Sequence, residues 1–283
     1  MTTRPSKDAR EPDIFLRTMN NLLRELKPYS KQIFVLCILL LVLAIGVAGL
    51  NFYKENQEVA AQEQYIGVER AYNKVVQDFE GAQNKIKSAE TEIERIKKDK
   101  TKKADSGKLI EEKQKEIADA KGKLPSGSFE KDYGKFVGEF QKVIKDHPKT
   151  QAAAMASLYL TKLYADQKKI SEGIALLNSP DLSLSEGHLL FGLVKMRLGQ
   201  LYEQNGECQK SIDTWSQVLQ TKELSFLHPE ASLATAVCYE NIKNFDKAKE
   251  FYKKTSVEFK NSPAGETAEK YQRLLNIKKD EKS

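Results

Sequence analysis

The sequence predicts an all-α protein with three parts: one membrane-crossing helix, a helical coiled-coil hairpin and a solenoid of stacked helix pairs. Three observations predict it. Residues 33–50 form an uncharged apolar run. Apolar residues then recur at steps of four and three from Ala61 to Ile96. The C-terminal half repeats itself with a period of 37–38 residues. With 15 glycines and 8 prolines in 283 residues, the chain also lacks the turn residues of an all-β fold.

The apolar run, Ile33 to Leu50, reads IFVLCILLLVLAIGVAGL. At about 1.5 Å per residue it spans about 27 Å, close to the hydrocarbon core of a bilayer. Phe52 and Tyr53 suit the interface, and Lys54 can snorkel outward. The 32 residues before the run are too many for the n-region of a cleaved signal peptide, so the run reads as a retained anchor. Its flanks set its direction. Arg4, Lys7, Arg10, Arg17, Arg24, Lys27 and Lys31 precede it, whereas only Lys54 and Arg70 follow within twenty residues. The positive-inside rule puts the N-terminus in the cytoplasm and the long C-terminal part across the membrane. Residues 13–27 have helical spacing, with Phe15, Leu16, Met19, Leu22, Leu23 and Leu26 on one side. Such a basic amphipathic stretch either lies on the inner leaflet, docks on a partner, or is only a positive flank.

The seam after the anchor is Ala61, Tyr65, Val68, Tyr72, Val75, Phe79, Ala82, Ile86, Ala89, Ile93 and Ile96, with mostly charged or amide residues between. That is a coiled-coil or helical-hairpin pattern. It stops at the lysine-rich 97–108, where Ser106-Gly107 offers a turn. Ile110, Ile117, Ala120 and Leu124 carry a weaker return arm. An antiparallel pair covers only the far part of the first arm, so Tyr65 to Phe79 must bury their rings against the following domain. A parallel homodimer is the competing way to bury the seam.

The repeat is carried by three sets. Tyr164, Tyr202 and Tyr239 recur, as do the small residues Gly173, Ser211 and Ala248 and the bulky Leu177, Trp215 and Tyr252. Each tyrosine closes a first helix. The small residue lets a second helix cross near it, and the bulky one fills the space a turn later. Such pairs bury their faces only by stacking. Residues 129–146 read as the second helix of an earlier unit whose first helix is the Tyr65–Phe79 stretch, with the hairpin inserted between. His147-Pro148, His228-Pro229 and Ser262-Pro263 read as helix starts.

Leu198–Trp215 (LGQLYEQNGECQKSIDTW) resembles a tetratricopeptide repeat through Leu198-Gly199, Tyr202, Gly206, Ser211 and Trp215. Ala234–Tyr252 matches through Ala236, Tyr239, Phe245, Ala248 and Tyr252, and Leu160–Leu177 more weakly. The long period resembles envelope repeat proteins such as the outer-membrane assembly lipoproteins. The whole plan of tail, single span and repeat domain resembles the YfgM-like ancillary subunits of the bacterial Sec translocon. The expected domains are a cytoplasmic tail (1–32), a transmembrane helix (33–53), the long helix and hairpin (54–124), a tetratricopeptide-like α-solenoid (125–277) and a charged tail (278–283). The resemblance implies a single-pass protein of the bacterial inner membrane with a periplasmic C-terminal domain. It also implies translocon subunits, periplasmic chaperones or unfolded clients as partners.

No H-E-x-x-H, phosphate loop, G-x-S-x-G or Rossmann glycine pattern occurs. No catalytic group, metal site or cofactor is therefore expected, and His147 and His228 are expected to cap helices or lie at the surface. The net charge of +6 concentrates many lysines between Lys97 and Lys123 without interleaved aromatics, which argues against a nucleic-acid partner. Cys208 and Cys238 either remain buried thiols or, in an oxidising compartment, pair. Projected onto the repeat, the first helices offer a protein-binding groove of Met155, Leu158, Lys162, Leu193, Met196, Gln200, Glu203, Leu233, Val237, Glu240 and Asn241. The alternative is that neighbouring helices partly cover these positions. The function expected is a membrane-anchored protein-binding scaffold. Its rival is a self-associating organiser of the cell envelope, in division or outer-membrane assembly.

Overall fold

The computed structural model describes Met19 and residues 27–98, 106–182 and 184–280. Every regular element among them is helical. The chain divides into two compact units, Met1–Asn56 and Gln57–Ser283.

In the first unit a 3-10 turn at Lys27–Tyr29 leads into α1, Ser30–Lys98. From Phe34 to Tyr53 the described side chains are exposed, and the consecutive Leu39, Leu40, Leu41, Val42 and Leu43 make the helix apolar all round. This helix is long and apolar enough to cross a membrane. The amphipathic stretch 13–27 lies outside the described residues, apart from Met19 and Lys27.

In the second unit the seam of α1 serves two partners. Ala61, Tyr65, Val68 and Tyr72 are buried in one core with Phe136, Phe140 and Val143 of α3 (Phe129–Asp146) and Leu160 of α4 (Gln151–Asp166). Tyr72 meets Phe136 edge-on at 5.5 Å, and Tyr65 meets Tyr159 at 6.1 Å. This stretch of α1 is thus the first helix of a unit completed by α3. Farther along, Ala82, Ala89 and Ile93 are buried beside α2, Ser106–Lys121, whose Ala120 is buried too. The Glu92–Lys113 ion pair, at 2.8 Å, sets the antiparallel register. The seam is therefore consumed within one chain, in the hairpin arrangement. Residues 99–105, most of the lysine-rich tip, lie outside the described residues.

The solenoid continues through α5 (Ile170–Leu177), α6 (Leu189–Gln204), α7 (Cys208–Gln220), α8 (His228–Asn241), α9 (Phe245–Glu258) and α10 (Pro263–Asp280), each packed on the one before. The three repeat positions do the work their spacing suggests. The carbonyls of Tyr164, Tyr202 and Tyr239 accept from the amides of Lys169, Glu207 and Asn244, which closes each first helix. The residues before those donors, Lys168, Gly206 and Lys243, adopt positive φ of 60°, 77° and 62°. Gly173, Ser211 and Ala248 are buried at the crossings, and Leu177, Trp215 and Tyr252 fill the interior. Gly199 matters for the same reason: a Cβ there would fall 2.1 Å from Trp215 Nε1.

One helix start differs from expectation. Pro229 and Pro263 do sit in the first turns of α8 and α10. His147, however, ends α3, and α4 begins at Gln151 under a Thr150 cap whose hydroxyl accepts from the Ala153 amide at 3.1 Å. An extended threonine satisfies an orphan amide that a proline start leaves open. Glu58 of α1 adds to this cap by accepting from the Gln151 amide at 2.9 Å.

Candidate functional site

The first helices of successive units are α1, α4, α6 and α8. Tyr159 joins α4 to α1, since its hydroxyl donates to Glu69 at 2.8 Å, beside Tyr65, which donates to the same carboxylate at 2.9 Å. Arg197 joins α6 to α4, donating to the Thr161 carbonyl at 3.3 Å. The groove positions fall on these helices in two groups. Met155, Leu158 and Leu193 are half-buried at the edge of the core formed by Ala153, Leu190, Val194 and Leu198. Leu233 and Val237 lie half-buried on the core around Trp215 and Tyr239. Lys162, Gln200 and Asn241 are exposed.

Met196 departs from the projection. It is 9 % exposed and belongs to the interior, and its carbonyl accepts from Trp215 Nε1 at 3.3 Å. Met196 lies three residues before Gly199, on the face that α7 approaches, so the side chain serves packing rather than the surface. Two polar positions also have internal partners. Glu240 accepts from the Tyr252 hydroxyl at 2.9 Å, and Asn241 donates to Cys208 Sγ at 3.9 Å.

Burial shapes the charges here. It pushes the Glu203 carboxyl above its ordinary range. It pushes Lys195 and Arg197 down, against the opposing pulls of Glu186 and Asp166. Lys195 also sits over the Phe191 ring, 5.3 Å from its centroid. Burial, with the nearby Glu69 carboxylate, raises Tyr65 well above the usual phenol range. The projection missed Arg197. The signal was present, because Arg197 lies four residues after Leu193 and three before Gln200 on one helical face.

Cys208 and Cys238 form a disulfide with Cα atoms 5.2 Å apart. It ties α7, the second helix of one unit, to α8, the first of the next. The structure thus takes the paired alternative over two free thiols. Both residues are buried, so the bond lies away from solvent reductants.

The histidines are structural. His188 Nδ1 accepts from the Leu190 amide at 3.2 Å and so caps α6. His147 lies between Gln57 and Gln64, with ring nitrogens 3.3 and 3.0 Å from their side-chain oxygens. His228 Nε2 donates toward the carbonyls of Val218 and Thr221. Among the described residues no group of three His, Cys, Asp or Glu is arranged to hold a metal ion. An open cleft of about 910 Å³ between α1 and α2 has an apolar floor of Val75, Phe79, Ala82 and Ala120. Its rim mixes Lys85, Lys115 and Lys123 with Asp78, Glu112, Glu116 and Asp119.

The profile of the tetratricopeptide repeat-like domain matches residues 26–223, and that of the tetratricopeptide repeat matches residues 230–262. No curated protein matches the chain. Among solved structures, it is similar to a Podosopora anserina protein described as a kinesin light chain, with nearly identical TPR-like repeats. The identity is 13 %, over 71 % of this chain and 96 % of that one, with a TM-score of 0.40. A point variant of that protein matches over the same shares with a TM-score of 0.39. Repeats of this kind are scaffolds for protein–protein interaction, which fits a surface built from stacked first helices. With most of its length under one family profile, the chain belongs to the tetratricopeptide repeat-like domain family.

Proposed function

We propose that this protein is a membrane-anchored scaffold that works outside the cytoplasm and binds other proteins along its first helices. One observation carries the reading. Met155, Leu158 and Leu193 lie half-buried on one core and Leu233 and Val237 on another, with Lys162, Gln200, Glu203 and Asn241 supplying polar positions on the same helices. Half-buried apolar side chains gain from a further partner, and the polar positions give it register. The exposed apolar stretch of α1 supports the anchor, and the excess of Lys and Arg before it supports a cytoplasmic N-terminus. The Cys208–Cys238 disulfide supports an oxidising compartment, such as a bacterial periplasm, for the repeats.

By its resemblance to the ancillary translocon subunits, the scaffold sits beside the Sec translocon and passes emerging proteins to periplasmic chaperones. The self-associating organiser is the weaker reading, because the seam that would join two copies is already used inside one chain.

Crosslinking in intact membranes, followed by purification of the full chain, tests the proposal. Translocon subunits and chaperones should be recovered, and Leu193→Asp with Leu233→Asp should reduce them. Recovery without those partners removes the translocon assignment. Undiminished recovery with the double variant removes the groove.

A further inference from the structure

The Cys208–Cys238 bond sits where the groove meets a junction between units. Cys238 lies between Val237 and Tyr239 on α8, and Cys208 is the first residue of α7. Both cysteines belong to the core on which Leu233 and Val237 rest. Asn241, a groove position, donates to Cys208 Sγ. The far end of the same junction is held separately, where His228 meets the Val218 and Thr221 carbonyls. Units of a repeat array bind only their neighbours, so this junction governs how α8, α9 and α10 follow α7.

The two sulfurs are not equivalent. Cys238 is fully buried, whereas Cys208 is 5 % exposed. α7 begins without a side-chain cap, and an uncapped first turn opens readily. Opening that turn uncovers Cys208 and leaves Cys238 inside. Two features favour Cys208 as a thiolate once the bond is broken. It stands at the positive end of the 13-residue α7, and the Asn241 amide donates to its sulfur. The adjacent Glu207 carboxylate is already paired with Lys210. One approachable sulfur that also leaves well as a thiolate suits exchange with a dithiol.

We propose that this disulfide is a redox switch, worked by a protein dithiol, that sets the affinity of the α8 part of the groove. The switch acts on the first-helix groove proposed above and rests on that reading. A thiolate of the dithiol attacks Cys208 Sγ. A mixed disulfide forms, and Cys238 leaves as a thiolate that takes up a proton. The second thiolate then attacks the dithiol's own sulfur in the mixed bond, and Cys208 leaves as the thiolate held by α7 and Asn241. Two electrons pass to the protein, one proton to Cys238 and one to water, and the dithiol ends as a disulfide. Two sulfurs no longer bonded take more room, so the core under Leu233 and Val237 loosens. Leu158 and Leu193 rest on another core and keep their seat.

The test uses the full chain in nanodiscs, with graded mixtures of reduced and oxidised dithiothreitol. The probe is a fluorescent, cysteine-free unfolded polypeptide. Reduction should weaken its binding about fivefold or more. Hydrogen exchange should quicken in α8 and stay unchanged in α4. Reduced glutathione, quenched with acid, should be found on Cys208 and not on Cys238. Asn241→Asp removes the donor, so half reduction should need about threefold or more reduced dithiothreitol. Cys208→Ser with Cys238→Ser should bind as the reduced parent does. Leu233→Asp should weaken binding by the oxidised chain and remove its redox dependence. Equal binding by the two redox states overturns the switch. So does glutathione on Cys238, or an Asn241→Asp chain reduced as easily as the parent. If oxidised Leu233→Asp binds like the parent, the groove reading itself fails, and the switch with it.

Discussion

Replacing Gly199 by alanine should destabilise the protein, although alanine is the better helix former. The intrinsic gain from Gly to Ala in a helix interior is about 1 kcal/mol. Against it stands the indole of Trp215, which is fully buried. The new Cβ would lie 2.1 Å from Nε1 and 2.4 Å from Cε2, so α6 and α7 must separate or the ring must turn. Overpacking of this kind costs about 1–3 kcal/mol. Turning the ring also strains the hydrogen bond from Nε1 to the Met196 carbonyl, worth about 1 kcal/mol. The net loss is about 1–3 kcal/mol. At about 2–4 °C per kcal/mol for a unit of this size, the melting temperature should fall by about 2–12 °C. Gly138→Ala is the matched control, because Gly138 faces open space on α3, and there the propensity gain should appear alone as a small rise. Thermal unfolding of the full chain in detergent, followed at 222 nm, reads both. A Gly199→Ala protein melting at or above the parent would refute the packing argument.

Three further outcomes follow. The Cys208–Cys238 bond closes a loop across 30 residues, so reduction, or Cys208→Ala with Cys238→Ala, should cost about 3–4 kcal/mol in denaturant unfolding; thiol alkylation of the unreduced chain should leave both residues unlabelled. Burial, together with hydrogen bonds to Glu69 and Glu240, raises Tyr65 and Tyr252 above their unfolded value of about 10, so their contribution to stability is complete below about pH 10 and is lost as pH rises beyond it. Tyrosinate absorbance at 295 nm should therefore rise together with loss of helix, and Tyr65→Phe with Tyr252→Phe should weaken that alkaline dependence; an unchanged profile would count against it. Lys168 and Lys243 hold positive φ, so glycine at either should raise the melting temperature by relieving about 1 kcal/mol of backbone strain.

Periodicity made the architecture legible. The spacing of Tyr164, Tyr202 and Tyr239 against Gly173, Ser211 and Ala248 encodes a crossing between helices, and a crossing is a local matter of side-chain size. The double duty of the α1 seam was also readable, because the return arm was too short to cover Tyr65 and Tyr72. The interior placement of Met196 was readable in the spacing but missed. It lies three residues before Gly199, on the face where a small residue admits Trp215 of the next helix. The disulfide, by contrast, was undecidable. Two cysteines 30 residues apart pair only if the stacking of α7 on α8 brings their Cα atoms within reach. Histidine roles followed local backbone geometry, so a proline neighbour marked His147 and His228 while the capping residue was His188.

The inserted hairpin has a consequence for how the chain acquires its structure. Tyr239 and Phe251 meet across 12 residues, but Tyr72 and Phe136 meet across 64. Closing the longer loop costs about 1.5 kcal/mol more in chain entropy. Pairing of the hairpin arms offsets part of that cost by shortening the distance its two stems must search. During synthesis the unit next to the apolar run therefore keeps its aromatic face open until α3 has emerged, far longer after its first helix than any later unit does. A hairpin tip that fails to turn would delay the first unit while leaving the C-terminal units intact.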